Sequence, residues 1–158
     1  MYLKLIGFLL KAVFFLISTS TFAQTFNSDD YNLKVTTVAR GLEYPWGLTF
    51  LPNDLMIVTE REGRIRIVTG QGQLRAPLKG FPKVVNGGQG GILDVALDPA
   101  YTENNYIYVS YSEAGLDGSG TAVAKAKLDI EQNRLKNLRV IFRQFPKTHS
   151  SHHYGSRL

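Results

Sequence analysis

The three histidines of the chain, His149, His152 and His153, lie within one short segment close to its end. Neutral imidazole is the usual side-chain proton acceptor near physiological pH, so a general base is one interpretation of this segment. A metal site is a second interpretation, although the spacing shows no helical periodicity and further ligands are not evident. An exposed polar loop without chemistry is the third and simplest interpretation. The residues alone leave all three open.

A glycine-rich stretch, Asn86 to Gly91, is the second candidate for chemistry. Clustered glycines let the backbone approach a ligand closely, and the Gln89 amide offers both a hydrogen-bond donor and an acceptor. A phosphate-binding loop would require a Gly-Lys-Ser/Thr sequence or a dinucleotide-binding βαβ context, and the sequence has neither. As an isolated motif, the stretch is more simply a β-turn without function.

Two further segments carry side chains of interest. Residues 59–65 contain paired charges around Gly63, and we expect a solvated hairpin turn in which Gly63 adopts a positive φ. Residues 44–47 contain the single tryptophan, Trp46. We expect Trp46 to pack where a strand begins, rather than to form a platform for substrate.

Short strands must position these candidates. Apolar residues alternate, or form short runs, between clusters of turn residues, and no segment shows a sustained period of 3.6 residues. The chain is therefore predicted to be all-β, with a turn at residues 117–120. The predicted strands cover residues 33–39, 46–51, 55–60, 64–69, 92–97, 106–112, 121–128 and 138–144.

A repeat predicts how the strands are arranged. Pro52 and Pro99 are 47 residues apart, Ile57 and Tyr108 are 51 apart, and each copy reads apolar strand, proline turn, apolar strand. A period of about 40–50 residues with four strands is typical of β-propeller blades. A single blade cannot bury both of its faces, so it must lie between neighbours in a ring. A β-sandwich with similarly placed turns is the alternative.

Residues 1–23 have the features of a signal peptide: Lys4, an apolar stretch interrupted by Lys11, and small residues up to a cleavage site after Ala23. A membrane anchor is the alternative, but Lys11 leaves too short an apolar run to span about 30 Å of hydrocarbon. We therefore expect a periplasmic or secreted protein without stable membrane insertion. Residues 24–34 form a polar lead, and residues 35–158 form the propeller part. The 135 residues after the signal suffice for two to three blades, so we expect a truncated propeller.

Composition excludes several classes of function. The chain has 18 basic and 13 acidic residues, and removal of Lys4 and Lys11 with the signal leaves 16 basic residues. These are scattered among acidic and apolar positions, so we predict no nucleic-acid binding. The absence of cysteine excludes disulfides, thiolate metal sites and cysteine nucleophiles.

Taken in order, five segments resemble the soluble aldose sugar dehydrogenases that depend on pyrroloquinoline quinone (PQQ), the glucose/sorbosone dehydrogenase family. No one segment is decisive, but their order over almost the whole mature chain makes a strong match. The segments are residues 42–52, 59–65, 88–99, 108–112 and 153–158.

The resemblance implies a six-bladed propeller, export to the periplasm, and PQQ bound at the axis with calcium. It implies that His153, preceded by His152, is the general base that takes the proton of the anomeric hydroxyl while hydride passes to the quinone, giving a lactone. It further implies that Gln89 lines the pocket for cofactor and substrate, and that Arg157 is mainly structural. The calcium ligands and the side chains that hold the quinone carboxylates belong to later blades in the family, so no residue here is assigned to metal. We therefore expect the chain alone to be incomplete and inactive.

Two other functions remain open. Many propellers are non-catalytic modules that bind carbohydrate or protein, so the fold alone does not select an enzyme. A metal-dependent hydrolase of the lactonase type would need acidic ligands at the channel mouth, and the sequence does not locate them. The identity of the sugar and of the electron acceptor, and the oligomeric state, do not follow from the sequence.

Overall fold

The computed structural model describes residues 24–155 together with residues 157 and 158. The predicted signal peptide, residues 1–23, lies outside the described residues. The chain divides into two units, residues 1–37 and residues 38–158.

In the first unit, β1 (Gln24–Asn27) and β2 (Asn32–Val35) form an antiparallel hairpin. The strand predicted over residues 33–39 is therefore wrong in its bounds, because β2 ends at Val35 and pairs with a strand inside the polar lead. The reason is a polar turn, in which Ser28 N donates to Tyr31 O at 2.9 Å and Tyr31 N donates to Ser28 Oγ at 3.0 Å. These bonds let the chain reverse within the polar segment.

The second unit contains two antiparallel sheets whose strands follow chain order. Four strands match their predicted bounds to within one residue, which confirms the all-β assignment. A four-residue helix, α1 (Tyr101–Asn104), links two strands, and no helix in the described part of the chain is long and apolar enough to cross a membrane. The sheets consist of β3 (Pro45–Leu51), β4 (Leu55–Glu60) and β5 (Arg64–Val68), and of β6 (Ile92–Leu97), β7 (Tyr106–Gly115), β8 (Gly118–Asp129) and β9 (Arg134–Arg143).

The β7–β8 hairpin is longer than predicted. Gly115 pairs with Gly118, so the connection is Leu116 and Asp117 alone, and the predicted turn residues Gly118 to Gly120 belong to β8. A Cβ at Gly118 would overlap the carbonyl oxygen of Thr148. Glycine is present there because another backbone passes close by, and this cannot be distinguished from turn chemistry in the sequence.

The two sheets pack on each other through a common core. Strands β3 and β4 both contact β6, and every strand from β3 to β9 contributes buried apolar side chains. This arrangement of neighbouring four-stranded and three-stranded sheets is that of two blades of a partial β-propeller, as predicted. The fully buried side chains at the centre are Ile57, Ile67, Ile92 and Ile107.

The sequence repeat has a structural counterpart at the first strand of each blade. Gly47 N donates to Thr59 Oγ1 at 2.8 Å, and Asp94 N donates to Ser110 Oγ at 3.0 Å. In each blade the pairing register shifts at this point, so one backbone N–H of the first strand has no partner in the strand pairing. A side-chain hydroxyl from the second strand accepts the hydrogen bond from that N–H instead. Equivalent positions are again 47 and 51 residues apart, so the repeat extends to individual hydrogen bonds.

One face of β3 carries apolar side chains at alternate positions, Trp46, Leu48 and Phe50, that remain exposed. Trp46 is 48% and Phe50 71% exposed, so the predicted packing of Trp46 is not found among the described residues. A blade face of this kind is suited to burial against a further blade.

Candidate active site

Three loops meet at one end of the two blades: the turn between β4 and β5, the glycine-rich loop before β6, and the segment after β9. Ile92 N donates to Arg61 O at 3.0 Å, which joins the first two loops. Gln89 N donates to Ser151 O at 2.9 Å, which joins the second and third. Each predicted functional residue lies in one of these loops.

The glycines before β6 let the loop pass between two other backbone segments. Gly88 has φ +55°, and a Cβ there would lie 2.5 Å from Ser151 O. Gly91 has φ +141°, and a Cβ there would overlap the carbonyl oxygen of Arg61. The close approach inferred from the glycines is therefore present, but it is made to protein on both sides.

Gln89 and His153 are brought together by this packing. His153 N donates to Gln89 Oε1 at 2.9 Å across 64 residues of sequence, and both side chains are exposed. Because the amide oxygen accepts this bond, the NH2 group is the donor that Gln89 presents on its other side. His153 has φ +63°, a conformation that is uncommon for residues other than glycine, so the bond that its N–H donates to Gln89 stabilises an unfavourable backbone conformation.

The other histidines do not join His153 in a metal site. Ser151 Oγ lies 3.2 Å from His152 Nδ1, and the ring centroids of His152 and His153 are 6.5 Å apart. In the described part of the chain, no group of three or more histidine, aspartate or glutamate side chains could hold a metal ion. The metal interpretation of the three histidines therefore finds no support in their arrangement.

Tyr154 anchors the segment that carries His153. Its side chain is buried, its hydroxyl lies 2.6 Å from Ser119 Oγ, and its carbonyl oxygen accepts a hydrogen bond from Thr121 Oγ1. The β8 backbone supports the same segment, since Ser119 and Thr148 exchange backbone hydrogen bonds of 2.8 and 3.0 Å. Tyr154 was not predicted from the sequence as a functional residue; the signal available was an aromatic residue next to the candidate base.

A partly buried cluster of charges holds the start of this segment. Glu113, on β7, accepts hydrogen bonds from Arg143 Nε at 2.9 Å and Lys147 Nζ at 3.1 Å. Burial alone would raise the pKa of Glu113, but the bonds from Arg143 and Lys147 outweigh it and lower that pKa. Burial, with the charge of Glu113, raises the pKa of Tyr111 to about 12. The carboxylate thus stays ionised and holds Lys147, two residues before His149.

His153, Tyr154 and Arg157 line a cavity of about 360 Å³ at this end of the second blade, together with Thr121 and Phe142. The Arg157 side chain is exposed at the cavity. Leu158 N donates to Asp94 Oδ2 at 2.9 Å, which ties the chain beyond the cavity to β6. The cavity therefore has a candidate proton acceptor, a cation and apolar walls.

The expectation of a solvated turn over residues 59–65 is wrong for its first half. Glu60 is fully buried and accepts hydrogen bonds from Arg64 Nε at 2.6 Å, Arg66 NH1 at 3.4 Å and Glu43 N at 2.7 Å. Burial opposes ionisation, but the bonds from Arg64 and Glu43 and the two arginine charges lower the pKa of Glu60. A charged pair at a hairpin end looks the same in sequence whether it is solvated or buried. Gly63 does have a positive φ, as predicted.

A family profile, a curated relative and solved structures all match sugar dehydrogenases. The sequence profile of the family described as glucose/sorbosone dehydrogenase matches residues 42–158. Aldose sugar dehydrogenase YliI of Escherichia coli K12 is 38% identical over 147 residues, which are 92% of this chain and 40% of that protein. The chain thus spans about 40% of the length of this relative.

Two solved structures are similar in fold and sequence. The crystal structure of a glucose dehydrogenase matches with a TM-score of 0.73 and 40% identity over 76% of this chain and 36% of that one. The PQQ-bound form of aldose sugar dehydrogenase from Streptomyces coelicolor matches with a TM-score of 0.61 and 30% identity, over 70% of this chain and 33% of that one.

Proposed function

The chain belongs to the glucose/sorbosone dehydrogenase family, and we propose that it forms the first blades of a PQQ-dependent aldose sugar dehydrogenase. The protein would oxidise the anomeric hydroxyl of an aldose to a lactone. The observation that carries this proposal is the contact between His153 and Gln89, which places the candidate base beside the candidate pocket amide at one end of the blades.

His153 is proposed to accept the proton of the anomeric hydroxyl. Its backbone is fixed by Gln89 and its ring is exposed beside the cavity, so a substrate hydroxyl can reach it. A neutral imidazole suits this step, since removal of the hydroxyl proton makes the adjacent carbon a better hydride donor. Two electrons and one proton leave the substrate as hydride, and the second proton stays on His153 until solvent takes it.

Part of a quinone site fits the residues present. PQQ, when bound, supplies the electron-accepting carbonyl that takes the hydride. Gln89 has the chemistry to hold it, because its oxygen is engaged by His153 N and its NH2 group can donate to a quinone or carboxylate oxygen. The described residues do not form a calcium site, since no group of acidic and histidine side chains among them could hold a metal ion. We assign calcium binding and the recognition of the quinone carboxylates to later blades of a six-bladed ring.

We further propose that the protein is exported, on the basis of residues 1–23, and acts in the periplasm or outside the cell. Its partners would be an aldose and an electron acceptor whose identity no residue here specifies; nucleic acid and membrane insertion are not part of the proposal. Because the chain spans about 40% of its Escherichia coli relative and leaves apolar side chains of β3 uncovered, residues 24–158 alone are proposed to be inactive.

The test uses the complete polypeptide encoded by the gene that carries this chain, supplied with PQQ and calcium. Reduction of an artificial dye is followed with a series of aldoses. We expect turnover, and we expect His153→Ala to lower kcat by about 100-fold or more while quinone binding, measured by absorbance titration, persists. His149→Ala is the matched control, because it removes an exposed imidazole from the same segment.

Three outcomes would count against the proposal. Equal activity of the His153→Ala and His149→Ala variants would remove His153 from the reaction. Carbohydrate or protein binding without turnover of any aldose would favour the non-catalytic module. Turnover by residues 24–158 at the rate of the complete polypeptide would show that the first blades suffice.

A further inference from the structure

Arg61 forms hydrogen bonds within the glycine-rich loop and directly after it. Its NH1 donates to Gly88 O at 3.2 Å, and its own carbonyl oxygen accepts Ile92 N at 3.0 Å. Between these points Gly91 packs so tightly on Arg61 that a Cβ would overlap it. The conformation of the loop that carries Gln89 therefore depends on where Arg61 lies.

Tyr44 contacts Arg61 through both its ring and its backbone. The guanidinium carbon of Arg61 lies 5.3 Å from the centroid of the Tyr44 ring, and Arg61 N donates to Tyr44 O at 3.0 Å. The equivalent bond in the second blade runs from Ser112 N to Gly91 O at 2.9 Å. Glycine suits the positive φ in the second blade, whereas the first blade keeps tyrosine at φ +48°. Backbone strain is retained here together with the aromatic ring that stacks on Arg61.

Burial of part of the Arg61 side chain reduces the stability of the fold. Its Nε is buried and makes no hydrogen bond within the described part of the chain. An apolar side chain of similar length would fill the same space without leaving a buried donor unpaired. The feature that distinguishes arginine here is its reach to Gly88 O.

The contacts continue from the loop to the candidate base. Gly88 O accepts a hydrogen bond from Arg61. Gln89, which follows Gly88, donates its backbone N–H to Ser151 O. The side-chain oxygen of Gln89, Oε1, accepts a hydrogen bond from His153 N. His153 has a positive φ, so its ring position depends on these bonds more than on any local preference. Displacement of the Gly88–Gln89 peptide would change the direction of the imidazole.

We propose that Arg61, stacked on Tyr44, is a positioning residue that sets the Gly88–Gln89 peptide and through it the orientation of His153. This inference rests on the proposed function for its effect on the reaction. The effect of Arg61 on the glycine-rich loop and on the segment after β9 does not depend on any activity. The positioning role and the proposed function can therefore fail separately.

The test compares Arg61→Met with Arg75→Met in the complete polypeptide. Arg75 is a matched control because its NH1 also donates to a backbone carbonyl, Ile130 O at 3.3 Å, away from the three loops. Hydrogen exchange measured by mass spectrometry is expected to rise by about tenfold in residues 86–92 and 149–155 of the Arg61 variant only. With PQQ, calcium and aldose, kcat is expected to fall by roughly 10- to 100-fold while KM for the sugar changes little.

Arg61→Lys keeps a cation and a donor nitrogen but loses the planar guanidinium, so we expect kcat and exchange between those of the wild type and Arg61→Met. It also serves as the reporter if Arg61→Met fails to fold. Equal exchange of residues 149–155 in the Arg61 and Arg75 variants would overturn the coupling to His153. Faster exchange with unchanged kcat in an active enzyme would overturn the role in catalysis. A complete polypeptide without aldose oxidation would refute the proposed function, while the exchange comparison still decides whether Arg61 orders the loops.

Discussion

We expect Glu60→Gln to lower the free energy of unfolding by about 3 kcal/mol. Glu60 is 0% exposed, and its carboxylate accepts three hydrogen bonds, two of them from the guanidinium groups of Arg64 and Arg66. Glutamine keeps the shape but removes the charge and turns an NH2 group towards one of these donors. Loss of one partner of a buried ion pair costs about 3–5 kcal/mol, and the lower figure applies because the amide oxygen still accepts one bond.

The assay is urea and thermal unfolding of the complete polypeptide, followed by circular dichroism. About 3 kcal/mol corresponds to a decrease of roughly 4 °C in Tm for a polypeptide of about 370 residues, the length of the relative of which 147 residues are 40%. Glu62→Gln is the matched control, since Glu62 pairs with the same Arg64 at 3.5 Å but its side chain is 38% exposed. An exposed pair of this kind is worth below about 1 kcal/mol.

The effect depends on pH in a defined direction. The pKa of Glu60 is lowered in the folded state, so its contribution is fully present above its ordinary pKa of about 4.3 and is lost as the pH falls through the folded value. The difference in stability between wild type and Glu60→Gln should therefore shrink in acid. A Glu60→Gln variant as stable as Glu62→Gln at neutral pH, or a difference that persists undiminished in strong acid, would refute this account of Glu60.

Two further predictions concern the loops. Gly91→Ala should lower the free energy of unfolding by about 2 kcal/mol or more, because φ is +141° and the new Cβ would overlap Arg61 O. Gly87→Ala is the control, since no atom lies within 4 Å of the new Cβ, and it should change the free energy of unfolding by less than about 1 kcal/mol. Thermal unfolding checks the pair, and equal losses would show that the Gly91 backbone is not constrained. Tyr154→Phe should cost about 1 kcal/mol, because it leaves the buried Ser119 hydroxyl without its 2.6 Å partner, and should speed hydrogen exchange in residues 149–155. An unchanged exchange rate would mean that this hydroxyl does not hold the loop.

Local pattern was sufficient to locate the strands of the blades. Continuous or alternating apolar residues gave β4 (Leu55–Glu60) and β6 (Ile92–Leu97) at the bounds observed. Where prediction failed, a long-range contact replaced the local rule. Gly118 to Gly120 have turn composition but lie in β8, since small residues are needed where the Thr148 segment crosses.

The candidate site was less accessible to sequence. The residues alone left the histidine segment and the glycine-rich loop with several interpretations, and the family resemblance selected His153 and Gln89. Arg61 and Tyr154 were not selected by either route. Their relevance lies in contacts with residues 27 and 35 positions away, which no local pattern encodes.

The sequence by itself determined the all-β class, the period of the repeat and the position of most strands, because side-chain alternation and turn chemistry act between near neighbours in the chain. The tertiary structure decided which loop residues meet. Strand pairing and blade packing bring the ends of β4, β6 and β9 together, and the bond between His153 and Gln89 then forms across 64 residues. Such a bond depends on the packing of whole blades, so it becomes visible only once they are folded.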